Sequence, residues 1–429
     1  MITVDRKSIS YYVIVYYLLI MSGSLFGHFA SDSLAKINAV VTVALIFYVV
    51  FVSGIPIRRD LVSAFLVISV FTYIFRILWW NELGSIMGYV GDILILISFI
   101  LWAYVLDYKL MIKAFINIML WMAIFSIIGY VFYDNLVSLA VPVLGSSWKY
   151  HFFGIFSIRE VGSGSIRSNG LFWEPGMFQG YLIFSMMLLA VKRNRNRMDW
   201  IKLIIFALAI LTTQSTTGYL LLIVIIMLLV TTKLNQIEIS SKWGNQLQWF
   251  LLLVSVLCVV VAFINPNIMN SFLSLFPENV TGKLLETDNI STNSRFYGML
   301  YDIRIALNYP LGIGRNVSQQ LLSEQMSISG VEILGRTSSW TTALIMDGLI
   351  GGVMYICIYI RGCFKFSEDN FINGIYICII MATIVNTEPH YGCLFFNMIV
   401  VMWYLNKDKD FKLQQDIDQM VEVNFNSED

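Results

Sequence analysis

The sequence predicts an all-α protein embedded in a membrane, and two observations carry this prediction. Of the 429 residues, 58% are hydrophobic and only 13% are charged, whereas a soluble globular protein averages roughly 25% charged residues. Twelve apolar runs are also long enough to form helices that cross a bilayer, which takes roughly 20 residues. We therefore expect a polytopic membrane protein with about 12 transmembrane helices.

The apolar runs are centred near residues 18, 46, 70, 96, 122, 184, 205, 222, 256, 349, 379 and 398. No Ala-x-Ala-like cleavage site follows the first run, so we expect an uncleaved first span rather than a signal peptide. The seventh and eighth runs are short and are separated only by residues 212–215.

These runs divide the chain into six segments. Residues 1–133 are predicted to hold helices one to five, residues 176–265 helices six to nine, and residues 338–405 helices ten to twelve. Two long polar loops, 134–175 and 266–337, separate these helical groups, and residues 406–429 form a charged tail.

The distribution of basic residues predicts the orientation, because cytoplasmic flanks retain Lys and Arg. With the N-terminus inside, most of the 28 basic residues fall on the cytoplasmic side. Those assigned to the outer side are mainly arginines: Lys36, Arg76, Lys149, Arg159, Arg167, Lys283, Arg295, Arg304, Arg315 and Arg336. We expect both termini in the cytoplasm. Planar guanidinium groups suit phosphate recognition, although long translocated loops can also simply contain some arginines.

Missing motifs exclude several reaction classes. The chain has no G-x-x-x-x-G-K-[ST] phosphate loop, no zinc motif among its three histidines and no C-x-x-C pair. Asp-x-Asp pairs, which many nucleotide-sugar transferases use to hold a cation, occur only in the tail. Ionisable groups inside the runs are sparse, mainly Arg76, Asp92 and Asp347, whereas an ion-coupled carrier usually has more intramembrane carboxylates. We expect neither a metal nor another cofactor.

The first loop runs through an aromatic cluster and a Gly/Ser stretch toward the sixth helix. Arg159 and Glu160 precede the Gly/Ser stretch, and Arg167 follows it. Glu174 comes directly before Pro175, the residue type best suited to a first helical position. We therefore expect Glu174 at the outer mouth of helix six. The alternatives are that Glu174 only caps the helix and that the aromatic residues form an interfacial belt.

In the second loop, the sequence predicts an amphipathic helix from Arg295 to Tyr309, capped by residues 293–294 and stopped by Pro310. Arg295 would lie in its first turn, where free N–H groups attract an anion, and Arg304 would point the opposite way. One apolar stripe repeats at helical spacing: Phe296, Leu300, Ile303 and Leu307. The loop also holds Arg315 and Arg336.

Several short motifs, in order, carry a resemblance to a known family. They are Arg167-x-x-Gly170-x-Phe172-x-Glu174-Pro175, Ser215-Thr216-Thr217-Gly218, Asn293-Ser294-Arg295, Pro310-Leu311-Gly312-Ile313-Gly314 and Gly348-Leu349-Ile350-Gly351. Their order and spacing resemble the Wzy-type O-antigen polymerase and O-antigen ligase superfamily over roughly residues 10–405. The ten residues between Arg159 and Gly170 also fit the Arg-x10-Gly pattern of the polymerases' periplasmic loops.

The resemblance implies a metal-independent glycosyltransferase of the bacterial inner membrane. Such a polymerase moves a glycan chain from undecaprenyl pyrophosphate onto a lipid-linked repeat unit at the periplasmic face. Arg167 and Arg295 match the family's two arginine positions and are expected to bind the pyrophosphate. Further binding candidates are Arg159, Arg315 and Arg336. Candidates for the base that deprotonates the acceptor hydroxyl are Glu174, His390 and Glu160.

Two alternatives to the polymerase stay open. An O-antigen ligase of this family has a histidine about eleven residues before the Gly-x-x-Gly pair, where this chain has Thr337. A lipid-linked-oligosaccharide flippase also has about twelve spans, but it has little use for the second long loop. Expected partners are undecaprenyl-pyrophosphate-linked oligosaccharides and, in the membrane, a chain-length regulator or a flippase. No nucleic acid is expected to bind.

Overall fold

A computed structural model describes the helices and part of the loops. The described residues are 6–26, 31–53, 60–79, 86–136, 141–142, 149–152, 156–160, 166–192, 194–236, 242–264, 290–313, 317, 320–324, 337–367, 370–388 and 390–405. The described chain is mostly helical, and a helix occupies each of the predicted apolar runs.

Fifteen helices are labelled in chain order. The first group comprises α1 (Arg6–Ile20), α2 (Ser31–Phe47, continued by a π-helical segment Tyr48–Ser53), α3 (Leu61–Trp79), α4 (Ile86–Val105), α5 (Tyr108–Val131) and the short α6 (Tyr133–Leu136). The second comprises α7 (Pro175–Val191), α8 (Arg197–Thr213), α9 (Thr216–Gln236) and α10 (Lys242–Ile264). The third comprises α11 (Ile290–Asn308), α12 (Ser339–Met346), α13 (Gly348–Phe366), α14 (Phe371–Thr387) and α15 (Leu394–Tyr404).

Five stretches within the described residues are long and apolar enough to cross a membrane. They are Ser33–Ser53, Gly88–Val105, Tyr108–Val131, Thr216–Leu234 and Gly348–Phe366. Several shorter apolar helices, α7 and α15 among them, accompany these five. The prediction of a mostly helical chain is confirmed. These five helices could cross a membrane by length and composition, and the number of 12 spans stays a prediction.

The core is built around α7, which is buried along almost its whole length. Every residue from Pro175 to Ala190 is buried, as expected for a helix that is apolar on all sides and surrounded by others. Aromatic side chains fill the space between α7 and α15: the ring of Tyr181 stacks on Phe172 at 4.3 Å and on Phe396 at 4.4 Å between centroids. The outward sides of helices such as α10 stay apolar and exposed, as on a lipid-facing surface.

The first long loop contains a small β-sheet, which corrects the all-α prediction. Four antiparallel strands form a meander in the order β1 (Val141–Pro142), β2 (Lys149–Phe152), β3 (Phe156–Glu160) and β4 (Ile166–Gly170). These strands are only two to five residues long, too short for alternation of apolar and polar residues to mark them in the sequence. β4 packs against α5, α7 and α8 and leads directly into α7.

One of the predicted spans contains irregular backbone. The run centred near residue 349 is broken between α12 and α13, where Gly348 adopts a φ of +74°. The Pro310-Leu311-Gly312 segment fits against this break: the Leu349 N–H donates to the Pro310 carbonyl at 2.8 Å. A Cβ at Gly348 would lie 2.8 Å from the Pro310 carbonyl oxygen, so glycine permits the close approach. Two motifs of the resemblance therefore pack against each other.

The helix of the second long loop begins earlier than predicted. α11 begins at Ile290 rather than at Arg295, so the expectation that Arg295 lies in the first turn is wrong. Its buried face carries Asp302, Ile305 and Ala306, whereas Leu300, Ile303 and Leu307 of the apolar stripe are exposed. The prediction missed the start because it placed the helix cap at 293–294, and apolar spacing alone does not fix a helix boundary.

Candidate functional site

Two glutamates flank the N-terminus of α7. Glu174 occupies the N-cap position, as predicted, but its side chain forms no capping hydrogen bond with the described helix. The carboxylate of Glu388 lies directly against the first turn of α7, where a Cβ at Gly176 would collide with its Oε1 atom. Carboxylates are stabilised at this end of a helix by its free N–H groups and its dipole. Both glutamates are only partly buried.

Glu388 was not among the predicted site residues, although the sequence contains a signal for it. Glu388 precedes Pro389, as Glu174 precedes Pro175. A glutamate before a proline at the outer end of an apolar run marks a place where the chain leaves or enters a helix. The repeated Glu-Pro dipeptide would have paired Glu388 with Glu174 as a candidate base.

The predicted base His390 lies inside the protein. Its side chain is fully buried beside the rings of Tyr181 and Phe396, with centroid distances of 6.0 Å and 4.9 Å. Neither ring nitrogen has a hydrogen-bond partner among the described residues. Burial lowers the pKa of His390 from 6.5 to about 3. The imidazole is therefore neutral at physiological pH and enclosed by aromatic rings.

Polar side chains tie α12 to the segment that leads to Glu388. The Asn386 Oδ1 atom accepts hydrogen bonds from the Ser338 hydroxyl at 2.8 Å and from the Trp340 N–H at 3.0 Å. The Ser339 hydroxyl accepts from the backbone N–H of His390 at 3.0 Å. These bonds fix the backbone on either side of Glu388 against the start of α12.

An apolar cavity of about 360 Å³ opens beside these ties, between α10, α11, α12 and α14. Its lining residues are Val256, Val259, Met299, Ser338, Trp340, Thr341, Ile379, Ala382, Thr383 and Asn386. The polar lining atoms come mainly from α12 and the end of α14, and the buried indole N–H of Trp340 has no partner in the described structure. Arg295 precedes Met299 by four residues on α11, which places the two positions on one face of that helix. Pockets of this size hold small ligands or parts of larger ones.

Basic residues form a row across the sheet. Lys149, Arg159 and Arg167 are Cα partners on three successive strands. The half-buried guanidinium of Arg167 donates to the carbonyl oxygens of Thr213 at 2.9 Å and Gln214 at 3.1 Å. It therefore anchors the sheet to the C-terminal end of α8, where a cation is favoured by the helix dipole.

A second ionic cluster occupies the break between α12 and α13. The buried Arg76 on α3 donates to the carbonyl oxygen of Met346, and its guanidinium lies 4.6 Å from the ring centroid of Tyr73. The adjacent Asp347 carboxylate accepts a hydrogen bond from Tyr391 at 2.7 Å. The sequence marked Arg76 and Asp347 as unusual ions within apolar runs, but nothing in it placed them together.

The remaining predicted residues are described only in part. For Arg159, Glu160 and Arg295 the structure describes the backbone but not the side chain. Arg315 and Arg336 lie outside the described residues. Glu160 is the Cα partner of Ile166 at the end of β3, whereas β4 leads toward α7 from its other end, at Gly170. Among the described residues, no group of three or more His, Cys, Asp and Glu side chains is arranged to hold a metal ion.

The fold and site define a helical protein whose apolar helices are consistent with a membrane location. No protein-family model matches the chain, and no curated protein matches it.

Proposed function

We propose that the protein is a polysaccharide polymerase of the bacterial inner membrane. It transfers a glycan chain from undecaprenyl pyrophosphate onto the non-reducing end of a lipid-linked repeat unit at the periplasmic face. The substrate class rests on the motif order that resembles the Wzy-type polymerases, and the apolar cavity in the described structure supports the proposal.

One juxtaposition carries the proposal. The apolar cavity has Met299 in its wall, four residues after Arg295, and Asn386, two residues before Glu388. A lipid-linked pyrophosphate has the matching parts, because its prenyl chain is apolar, its pyrophosphate is anionic and its sugar must meet a base. The cavity, the Arg295 position and Glu388 thus provide for all three parts within one region.

The reaction has simple requirements. The acceptor hydroxyl oxygen bonds to the anomeric carbon of the donor glycan, and the bond from that carbon to the pyrophosphate oxygen breaks. The electron pair leaves with undecaprenyl pyrophosphate, and a base takes the hydroxyl proton. Arg295 and Arg167 stabilise the charge that develops on the leaving group, since guanidinium binds phosphate oxygens in pairs.

Glu388 is the base that the geometry favours over His390. It is partly exposed and lies at the N-terminus of α7 beside Glu174, whereas His390 is enclosed by aromatic rings. A base must come within hydrogen-bond reach of the proton that it removes. His390 instead orders the segment behind Glu388 through its backbone bond to Ser339.

A transporter is the second candidate, because helix breaks near bound ions recur in secondary transporters. Here the break between α12 and α13 carries Asp347 beside Arg76. A flippase that moves lipid-linked oligosaccharide is therefore the alternative with its own structural support. The ligase gains no comparable support in the described structure.

Deleting the gene separates these candidates by what accumulates. Loss of the polymerase is expected to leave lipopolysaccharide with one repeat unit and no ladder. In a host that makes capsule, single lipid-linked repeats should accumulate in the periplasmic leaflet. Long chains that stay on the polyprenyl carrier would instead identify a ligase, and single units trapped on the cytoplasmic side a flippase.

Point variants then test the site within the same strain. Glu388→Gln should fail to restore the ladder at normal protein level. His390→Gln should restore it at least in part, because it keeps the backbone bond to Ser339. The reverse pattern would contradict Glu388 as the base and return that role to His390.

A further inference from the structure

Helix α11 exposes apolar side chains and buries an acidic one, the reverse of a helix that is surrounded by water. Leu300, Ile303 and Leu307 are 47%, 42% and 65% exposed, whereas the acidic side chain of Asp302 is buried. Asp302 accepts a hydrogen bond from the Thr341 hydroxyl at 2.9 Å, which satisfies it in the interior. A helix bordered by water places its polar residues outward. We therefore expect the outer face of α11 to contact an apolar environment.

The exposed stripe continues beyond the end of the helix. Leu311, in the turn after α11, is 50% exposed and its backbone touches Gly348 at the start of α13. Further along α13, Ile350 and Val353 are 64% and 51% exposed. The apolar surface therefore runs from α11 onto α13, and the Gly348–Phe366 stretch is long and apolar enough to cross a membrane.

From this continuity, we propose that Leu300, Ile303, Leu307 and Leu311, here called the α11 stripe, form a membrane-binding surface that lies in one leaflet of the bilayer. The occupant is lipid rather than protein, because the stripe merges with the exposed side of a membrane-crossing helix. A bilayer solvates both parts of this surface without a boundary. Interfacial helices bury an apolar face in this way at the level of the headgroups and upper acyl chains.

Arg304 fits the same arrangement. It is exposed and follows Leu300 by four residues on α11, which places it at the flank of the stripe. An arginine beside an apolar face can extend its apolar stem along the acyl chains and keep its guanidinium among the lipid phosphates. We therefore assign Arg304 to lipid headgroups.

The arrangement also explains how an apolar ligand reaches the cavity. Met299, in the cavity wall, is the neighbour of Leu300 in the α11 stripe. A lipid-embedded α11 places the cavity next to the acyl chains, so a lipid can enter from the side. The membrane-binding role of the α11 stripe does not depend on whether the protein is a polymerase.

Spin labels measure the surroundings of the stripe directly. In a full-length background with the five native cysteines replaced, one label is placed at Ile303, Leu307, Leu253 or Glu324. Leu253, which is 57% exposed on the apolar α10, is the lipid reference, and the exposed Glu324 is the water reference. The protein is reconstituted in vesicles of phosphatidylethanolamine and phosphatidylglycerol, and collision with oxygen is compared with collision with a polar nickel chelate.

Labels at Ile303 and Leu307 are expected to favour oxygen over the nickel chelate, as the Leu253 label does. A nickel preference like that of Glu324 would overturn the proposal, because the stripe would face water. Low accessibility to both reagents together with spin–spin broadening would also overturn it, since a second copy of the chain would then cover the stripe.

A charge variant tests the part assigned to Arg304. Arg304→Glu should move the Ile303 label toward the water reference in anionic vesicles, and the shift should be smaller in purely phosphatidylcholine vesicles. Arg361→Glu, on the far end of α13, is the matched control and should leave the Ile303 label unchanged. An equal shift in both kinds of vesicle would contradict an interaction between Arg304 and anionic headgroups.

Discussion

Two helix breaks in this protein are each held by an arginine, but in different surroundings. At the break between α8 and α9, Arg167 donates to the carbonyl oxygens of Thr213 and Gln214. At the break between α12 and α13, Arg76 donates to the carbonyl oxygen of Met346. In both places a guanidinium satisfies carbonyl groups that the end of a helix leaves without partners.

The surroundings of each arginine determine whether it can have a second role in addition to binding these carbonyl groups. Arg167 comes from the sheet and is half-buried, whereas Arg76 is 1% exposed and shares its site with the buried Asp347. A buried charge needs hydrogen-bond or charge partners within the protein, so we expect Arg76 to have a purely structural role. Arg167 lies near enough to the surface to hold the sheet in place and also to meet an anionic substrate.

The largest expected effect follows from removing the buried cation. Arg76→Met removes the donor to the Met346 carbonyl oxygen and a positive charge that interacts with the buried Asp347 carboxylate. A buried polar group left without its partner costs about 1–3 kcal/mol, and more when it is charged, so the combined loss is about 3–5 kcal/mol. We expect loss of folded protein in detergent, measured by size-exclusion chromatography and thermal unfolding. Arg304→Met, at an exposed position, is the control. The double variant Arg76→Met, Asp347→Asn should recover stability, and failure to recover would show that the two groups do not compensate each other.

A second test attacks the same break through its backbone. Gly348→Ala combines a left-handed conformation with a Cβ only 2.8 Å from the Pro310 carbonyl oxygen. Strain and overpacking of this kind cost about 2–4 kcal/mol. Thermal unfolding should show the loss, whereas Gly88→Ala, where a Cβ meets nothing within 4 Å, should be neutral. Equal stability of the two variants would mean that the Pro310 turn does not pack on Gly348.

The acid sensitivity of the neighbouring segment provides the third test. Because burial lowers the pKa of His390 to about 3, the unfolded chain binds a proton below about pH 6.5 that the folded chain does not. Stability is therefore lost as pH falls from 6.5, by about 2 kcal/mol at pH 5. His390→Gln should make the unfolding temperature less dependent on pH in this range. An unchanged slope would place His390 in contact with water.

Local patterns in the sequence predicted the helices but not the contacts between residues on different helices. Each apolar run is a continuous stretch of sequence, so hydrophobicity alone predicted where these helices lie. Arg76 is separated by 270 residues from Met346, which directly precedes Asp347, and only the packing of α3 against α13 brings it to this site. Likewise, Glu388 meets Gly176 because α14 packs beside α7, a contact that no spacing rule within one segment encodes.

The short sequence motifs were also predicted individually, without the contacts between them. Pro310-Leu311-Gly312 and Gly348 were recognised as separate short signatures, and the structure explains both by one backbone contact. The sheet was missed because its strands are short and its order depends on cross-strand pairing. Arg167 was predicted as a phosphate ligand because it stands in one of the recognised motifs. Its bonds to the end of α8 could not be foreseen, because their acceptors are backbone carbonyl oxygens, which no sequence motif marks.

The fourth prediction separates the two roles of Arg167. Arg167→Lys keeps the charge but cannot span the two carbonyl oxygens in the same planar geometry, so we expect a loss of about 1–2 kcal/mol of stability. If Arg167 also binds pyrophosphate, polymer should largely disappear while the protein level holds. Arg304→Lys is the matched control and should be tolerated. Polymer that declines only in proportion to the folded fraction would leave Arg167 a purely structural role.

The smallest effect is expected at the other break, and it completes the comparison of the two. Gln214 adopts a left-handed backbone with a φ of 47° without being glycine, which costs a non-glycine residue roughly 1–2 kcal/mol. Gln214→Gly removes that strain, but it also removes the 3.3 Å hydrogen bond from its side chain to Tyr130 and adds freedom to the unfolded chain, a combined cost of about 1–2 kcal/mol. The opposing terms nearly cancel, so the unfolding temperature should stay within a few degrees of the parent.

Gln214→Ala keeps the strain and loses the bond to Tyr130, and should therefore be less stable than Gln214→Gly. If the alanine variant matched the glycine variant, the left-handed turn would carry no strain, and the α8–α9 break would owe its shape to Arg167 alone.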